Sequence, residues 1–121
     1  MEVLLDSNFI ISSVRKKIDF LAELELLGFK VLLPREVFQE LKDLKNHSAP
    51  LDKSAIEVAL KLFEVRKIKK TTLGNQNVDL GLIEKGRKGA YIATLDNAIK
   101  REVDNKVVID ASSNNISIER N

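Results

Sequence analysis

Short apolar runs alternate along the chain with segments whose apolar residues recur every three or four positions. The runs are typical of strands buried on both faces, and the recurring pattern is typical of amphipathic helices. Strands are predicted at residues 3–5, 31–33, 67–72, 90–95 and 107–109. Helices are predicted just after Asp6 and at residues 18–27, 35–45, 54–65, 78–85 and 98–103. The polar tail, 112–121, is predicted either to form an edge strand through Ile116 and Ile118 or to fray.

The alternation of strands and helices predicts an α/β fold with three layers, in which helices cover both faces of a mainly parallel sheet. The length of 121 residues suits a single domain, 1–121, and no internal repeat or linker divides it. Gly81 is unusual inside a predicted helix, where glycine costs about 1 kcal/mol relative to alanine. It indicates either close packing against a neighbour or a helix that begins later.

Composition excludes several classes of protein. Apolar residues make up 44% and charged residues 31%, which is a normal globular mixture, and the net charge of +2 does not by itself indicate a nucleic-acid partner. The acidic N-terminus and the absence of a long apolar run predict a cytoplasmic protein with no membrane partner. Tyr91 is the only tyrosine and tryptophan is absent, so we expect no aromatic platform for stacking bases.

The chain has no cysteine, and His47 is its only histidine. Disulfides, thiolate zinc sites and sites with several histidine ligands are therefore excluded. If the protein holds a metal, oxygen atoms must bind it, and oxygen ligands favour Mg²⁺ or Mn²⁺.

Four carboxylates occupy positions where such a metal could bind. Asp6 and Asp96 each follow a predicted buried strand, and ligands of parallel sheets bind beyond the carboxyl ends of the strands. Glu40 borders the apolar stripe of its helix, and Asp79 is predicted to share an inward face with Leu82. Four acids at one sheet edge repel each other unless cations hold them, and one or two divalent cations there would suit phosphodiester hydrolysis.

Each acid also has an ordinary structural explanation. An aspartate between a strand and a helix commonly caps the helix, which applies to Asp6 and Asp96. Glu40 could simply lie at a helix edge, and the helix dipole favours an aspartate in a first turn, as at Asp79. Basic residues near the predicted acids could hold the phosphates of RNA or be ordinary solvated surface. The predicted RNA-binding residues are Lys85, Arg87, Lys88, Lys100 and Arg101.

Four segments that contain these acids resemble, in order, the motifs of the PIN-domain nucleases. They are residues 4–11 (LLDSNFII), 33–41 (LPREVFQEL), 78–83 (VDLGLI) and 92–99 (IATLDNAI). The resemblance covers roughly residues 1 to 110. It implies a PIN-like domain in which Asn8 and Thr94 support the site. It also implies that four residues are catalytic metal ligands: Asp6, Glu40, Asp79 and Asp96.

The same resemblance implies a function and partners. It points to a Mg²⁺- or Mn²⁺-dependent ribonuclease, acting as an endonuclease, with segments closest to PIN proteins that process ribosomal RNA. A VapC-type toxin and a non-catalytic RNA- or protein-binding module are the alternatives. The implied partners are RNA, a second copy of the chain, and either an antitoxin or a ribosome-assembly protein.

Overall fold

Six strands form one sheet in the computed structural model, which describes residues 1–121. The strands are β1 (Glu2–Leu5), β2 (Lys30–Pro34), β3 (Lys69–Thr71), β4 (Tyr91–Ala93), β5 (Asn105–Asp110) and β6 (Asn115–Arg120). Their order across the sheet is β3-β2-β1-β4-β5-β6, with β1 to β5 parallel and β6 antiparallel to β5. The carboxyl ends of β1 and β4 are therefore neighbours at one edge of the sheet.

Six helices connect the strands and cover the sheet. They are α1 (Ser7–Arg15), α2 (Phe20–Leu26), α3 (Arg35–Lys45), α4 (Pro50–Val65), α5 (Val78–Arg87) and α6 (Asn97–Glu102). None of these helices is long and apolar enough to cross a membrane.

The alternation of side chains along β1 explains why the domain has three layers. Val3 and Leu5 point into the larger core, which α1 to α4 complete, for example through Phe9 and Ile56. Leu4 points to the other face and packs in the smaller core. There α5 contributes Leu82 and α6 contributes Ile99. All three apolar residues of β1 are buried, because both faces of a parallel sheet are covered by crossover helices. The predicted α/β/α fold is confirmed.

Several boundaries differ from the prediction. α4 begins at Pro50, earlier than residue 54, because a proline is well tolerated in the first turn of a helix. β4 ends at Ala93, so Thr94, Leu95 and Asp96 form the segment between β4 and α6. The polar tail forms the edge strand β6 and does not fray, since its backbone pairs with β5 over six residue pairs.

Glycines in α5 let this helix pack close to its neighbours. A Cβ atom at Gly81 would lie 2.8 Å from the Cβ of Leu73, and one at Gly86 would lie 2.5 Å from Cγ1 of Val103. Both distances are too short for carbon atoms. The prediction of close packing at Gly81 is confirmed, and α5 continues through Gly86 to Arg87 because that glycine also faces the core.

Candidate active site

Asp6 lies where β1 ends and α1 begins. Its backbone N–H donates to the carbonyl of Ala93 at 2.9 Å, which ties the end of β1 to the end of β4. One carboxylate oxygen accepts the Ser7 N–H at 2.9 Å and so caps α1. Asp6 therefore has the ordinary role of a helix cap. It is also only 4% exposed, which is unusual burial for an aspartate.

The segment between β4 and α6 is tied to Asp6 and Asn8 by side-chain hydrogen bonds. The Thr94 hydroxyl donates to the second oxygen of Asp6 at 2.7 Å, and it accepts the Asp96 N–H at 3.1 Å. The amide oxygen of Asn8 accepts the Leu95 N–H at 3.0 Å. Thr94 is fully buried, so solvent water cannot replace these hydrogen-bond partners of its hydroxyl. The arrangement fixes the direction of the Asp6 carboxylate.

Asp96 is half-buried and lies one step further along this segment. Its carboxylate accepts the Ala98 N–H at 2.8 Å and caps α6. The structural explanation by capping therefore holds for both Asp6 and Asp96. The hydroxyl of Thr94 nevertheless links the two residues, because it contacts the carboxylate of one and the backbone of the other.

Glu40 is brought to the same edge by α3. The Ser7 hydroxyl donates to Oε1 of Glu40 at 2.5 Å, across 33 residues of sequence. Ser7 is therefore a positioning residue that the list of sequence-based candidates lacks. The sequence feature that could have identified Ser7 is its position directly after Asp6. Its backbone N–H donates to the Asp6 carboxylate, and its hydroxyl donates to Glu40.

Asp79 occupies the first turn of α5, which Asn77 caps. The sequence pattern predicts an inward-facing side chain in line with Leu82, and this prediction is wrong. Asp79 is exposed, whereas Leu82 is fully buried. A first-turn carboxylate gains from solvent and from the helix dipole, which explains the outward direction.

The electrostatics of Asp6 show which acids lie near it. Burial raises the pKa of the Asp6 carboxyl to about 6, against the hydrogen bonds from Thr94 and Ser7, which lower it. The negative charges of Glu40 and Asp79 raise this pKa further. The structure thus brings Glu40 and Asp79 within electrostatic range of Asp6, while the Asp96 carboxylate caps α6.

The acids do not form a closed metal site. No group of three or more aspartate, glutamate or histidine side chains lies close enough to hold one cation. That Asp6, Glu40, Asp79 and Asp96 together bind a metal therefore stays a prediction. The donor chemistry still fits a hard divalent cation, because every candidate ligand is a carboxylate. A cation would also offset the cost of the buried charge on Asp6.

An open groove of about 480 Å³ lies beside Glu40, between α3 and the segment that leads into α5. Glu36, Glu40, Asp43 and the exposed His47 are among its lining residues. Three carboxylates without a lysine or arginine in the lining give this groove a negative potential. A phosphate backbone is repelled from such a surface unless cations accompany it.

Glu36 holds the segment that leads into α5 by hydrogen bonds, a role that the sequence does not indicate. Its carboxylate accepts the N–H groups of Leu73 and Gly74 and the hydroxyl of Thr72. Burial raises the pKa of Glu36, but these hydrogen bonds together with one from its own backbone outweigh it and lower the pKa below the ordinary value. Leu73 in turn contacts Gly81, so Glu36 helps to set where α5, and with it Asp79, begins.

The predicted RNA-binding residues fall into two places. Lys85 and Lys88 border a depression with Glu2 and Ala90, which lie at the amino ends of β1 and β4. This is the edge opposite Asp6, because a crossover helix runs from one edge to the other. At about 1.5 Å per residue, Lys88 is roughly 13 Å along α5 from Asp79. The expectation that these lysines flank the acids is therefore corrected.

Arg87 shares this remote position and forms an ion pair with Glu102 at 2.7 Å. Lys100 and Arg101 remain close to the candidate site, because α6 begins directly after Asp96. The backbone N–H of Lys100 donates to the carbonyl of Asp96 at 3.0 Å, one helical turn away. Lys100 is half-buried and Arg101 is exposed.

Comparison with known proteins identifies the family of this chain. The sequence model of the family described as "PIN like domain" matches residues 3–111, which include all four acids. The chain belongs to the PIN-like domain family. PIN domains are generally nucleases.

Among solved structures, the PIN-like domain is similar to a chain in the crystal structure of VapBC2 from Rickettsia felis bound to a DNA fragment from their promoter. The TM-score is 0.59 at 15% sequence identity, and the match covers 91% of this chain and 100% of the other. At this identity the likeness concerns the fold. No curated protein matches the sequence.

Proposed function

We propose that this PIN-like domain is a metal-dependent ribonuclease that hydrolyses RNA phosphodiester bonds at the edge formed by β1 and β4. The observation that carries the proposal is the buried carboxylate of Asp6, which lies beyond the end of β1 and within electrostatic range of Glu40 and Asp79. A buried aspartate surrounded by further negative charge is costly to the fold. A cation bound here would offset this negative charge and could bind an anionic substrate.

Asp6, Glu40, Asp79 and Asp96 are the residues that would hold Mg²⁺ or Mn²⁺. When bound, the cation polarises a phosphoryl oxygen and lowers the pKa of a water molecule near the phosphorus. Asp6 provides the fixed part of the ligand set, because Thr94 and Ser7 hold both of its oxygens in place. Exposed Asp79 and half-buried Glu40 would complete the ligand set from the solvent side.

The supporting residues hold the acids, or the segment that carries one of them, in position by hydrogen bonds. Thr94 directs Asp6, Ser7 directs Glu40, and Asn8 holds the segment that carries Asp96. Lys100 and Arg101, on the helix that starts beside Asp96, would bind the phosphates of the RNA on one side of the site. Contacts to phosphates carry no base preference, so cleavage should depend on RNA shape and on salt concentration.

The exposure of the site supports an endonuclease. Asp79 is exposed, Glu40 is half-buried, and the groove beside Glu40 is open along α3. A strand can therefore lie across the acids without first threading an end into a tunnel. Single-stranded or loop RNA is the substrate class that fits, because an extended backbone can reach a partly buried site.

The sequence motifs support ribosomal RNA processing, with a ribosome-assembly protein as partner. The likeness to a VapBC2 chain motivates the alternative of a toxin ribonuclease controlled by an antitoxin. Both roles use the same chemistry, and identification of a co-purifying antitoxin would distinguish them.

The decisive experiment incubates purified protein with a structured RNA and Mn²⁺, with an EDTA control. Asp96→Asn is the test variant, since asparagine can still cap α6. Asp104→Asn is the matched control, because Asp104 is exposed and lies before β5, at the opposite edge of the sheet. Wild type and Asp104→Asn should cleave the RNA, and Asp96→Asn should bind it without cleaving. Equal cleavage by both variants would contradict the proposed activity. RNA binding without cleavage by the wild type would support a non-catalytic module.

A further inference from the structure

A groove of about 580 Å³, the α1 groove, lies along the outer face of α1 and leads away from the candidate site. Asn8, Ser12 and Arg15 line it at positions i, i+4 and i+7, which share one side of a helix. The groove begins at the site, because the side chain of Asn8 accepts the N–H of Leu95 at 3.0 Å, next to Asp96. Arg15 lies about 10.5 Å further along the helix, at 1.5 Å per residue.

α1 and α6 lie on opposite faces of the sheet. Phe9 of α1 is buried in the larger core, whereas Ile99 of α6 is buried in the smaller core on the other face. Both helices begin at the carboxyl edge of the sheet, α1 directly after Asp6 and α6 directly after Asp96. A chain that leaves the α1 groove at Asn8 therefore passes these two acids before it reaches α6.

The charges favour this course for an anionic strand. The α1 groove is lined by two exposed basic residues, Arg15 and Lys16, and by one acid, Asp52. The groove beside Glu40 is lined by three carboxylates and by neither lysine nor arginine, so it repels phosphates. The two grooves have no lining residue in common. Of these two grooves beside the candidate site, only the α1 groove has the excess of positive charge that favours a phosphate backbone.

Asp52 orients the guanidinium of Arg15 without covering it. Nη1 of Arg15 donates to Oδ1 of Asp52 at 3.0 Å, while the arginine side chain stays 49% exposed. A guanidinium has five N–H donors, so others remain for a phosphate oxygen. Lys16 donates to the amide oxygen of Asn114 at 3.4 Å, and this neutral partner leaves its charge uncompensated. Asn114 lies outside the matched residues 3–111, so the family match does not include this contact.

The lining between Asn8 and Arg15 suits a nucleotide chain. The hydroxyl of half-buried Ser12 can bind a phosphate oxygen or a ribose 2′-hydroxyl. Half-buried Ile11 offers an apolar surface to a sugar or a base. These contacts, like those of the two basic residues, position a strand without reading its sequence.

We propose that the RNA crosses the carboxyl edge of the sheet, from the α1 groove on one face to α6 on the other. Arg15 and Lys16 bind backbone phosphates on the side of the scissile bond opposite to that bound by Lys100 and Arg101. They are positioning residues, since they lie away from the acids. The flank in the α1 groove spans about three nucleotides, at roughly 3.4 Å per nucleotide of a stacked strand. This inference rests on the proposed ribonuclease function.

RNA binding in EDTA tests the α1 groove without catalysis. Arg15→Gln/Lys16→Gln should bind a single-stranded oligoribonucleotide more weakly than the wild type. The slope of log affinity against log salt concentration should become about 1.4 less steep, because each phosphate contact contributes about 0.7. Lys85→Gln/Lys88→Gln removes the same charge at the opposite edge and should keep the affinity and the slope. Asp52→Asn breaks the same ion pair as the Arg15 substitution but should bind RNA at least as tightly as the wild type. Thermal unfolding verifies that each variant is folded.

Trimmed substrates test the direction of the path. An RNA with one cleavage position is shortened by one nucleotide at a time from either end, and its cleavage is measured in Mn²⁺. Shortening either flank to less than about three nucleotides should raise the KM of the wild type more than it lowers kcat. Arg15→Gln/Lys16→Gln should become insensitive to shortening at one end. Lys100→Gln/Arg101→Gln should become insensitive to shortening at the other end.

Three results would overturn the proposed path. The first is RNA binding by Arg15→Gln/Lys16→Gln that equals that of the wild type in affinity and salt dependence. The second is an Asp52→Asn variant that binds RNA as weakly as this double variant, which would make the ion pair merely structural. The third is insensitivity of both double variants to shortening at the same end. Binding with the expected pattern but without cleavage by the wild type would support the path and contradict the ribonuclease activity.

Discussion

The hydroxyl of Thr94 donates a hydrogen bond to the buried carboxylate of Asp6 at 2.7 Å, across 88 residues of sequence. Through this hydrogen bond, the segment between β4 and α6 fixes the orientation of the Asp6 carboxylate. Removing the hydroxyl leaves the carboxylate in place but takes away one of the two hydrogen bonds that offset its burial.

Thr94→Val should therefore destabilise the fold and impair RNA cleavage. Loss of a hydrogen bond to a charged, buried group costs about 1–3 kcal/mol of unfolding free energy. Urea denaturation measures this loss, and Thr94→Ser is the control because it keeps the hydroxyl. A valine variant as stable and active as the serine variant would show that this hydrogen bond has no role.

Asp6→Asn should change how stability depends on pH. The folded-state pKa of Asp6 is about 6, raised from the ordinary value of 3.8, so the folded protein binds more protons than the unfolded chain between these values. Protonated Asp6 therefore stabilises the fold fully below pH 4, and this contribution is lost as the pH rises through 6. The shift corresponds to at most about 3 kcal/mol.

The measurement is the unfolding free energy of both proteins in urea at several pH values. The stability of the wild type relative to Asp6→Asn should be highest near pH 4 and should fall by up to about 3 kcal/mol toward pH 8. A difference that stays constant over this range would contradict the raised pKa of Asp6.

Mn²⁺ should raise the melting temperature of the wild type by binding only the folded state. The stabilisation grows with cation concentration, reaching about 2.7 kcal/mol at one hundred times the dissociation constant. Asp6→Asn should lose most of this effect, and Asp104→Asn should retain it. An equal response from all three proteins would indicate binding of Mn²⁺ away from the candidate site.

Glu36→Gln should loosen the segment that leads into α5. The variant loses charge-assisted hydrogen bonds to Leu73 and Gly74, which should lower stability by about 1–2 kcal/mol. Because the segment positions Asp79 through Leu73 and Gly81, Mn²⁺ binding should weaken as well. Calorimetric titration with Mn²⁺ measures the second effect, with exposed Glu119→Gln on β6 as the control. An unchanged affinity for Mn²⁺ would show that Glu36 does not influence the candidate site.

RNA binding should distinguish the two groups of basic residues. The double variant Lys100→Gln/Arg101→Gln should bind single-stranded RNA more weakly and should show a smaller dependence on salt, because phosphate contacts release counterions. Lys85→Gln/Lys88→Gln removes the same charge from the opposite edge and should bind like the wild type. A reversed outcome in filter-binding titrations would place the RNA path along the far end of α5.

The sequence alone determined the architecture of this PIN-like domain. Short apolar runs such as residues 3–5 and 31–33 are typical of strands buried on both faces, and the segments with helical spacing between them predict the covering helices. It also limited the chemistry of any metal site, since the absence of cysteine and the single histidine leave carboxylates as the candidate ligands. The glycine at position 81 already indicated a close approach, which the contact with Leu73 explains.

The tertiary structure decided where the side chains point and which edge they occupy. Helical periodicity placed Asp79 with Leu82, but a charged side chain in a first turn gains from solvent, so it turns outward. Lys85 and Lys88 are near Asp79 in sequence, yet the length of α5 carries them to the other edge of the sheet. The hydrogen bonds from Ser7 to Glu40 and from Leu73 to Glu36 join residues more than thirty positions apart. Local sequence patterns contain no information about such pairs, because only the packing of the helices on the sheet brings them together.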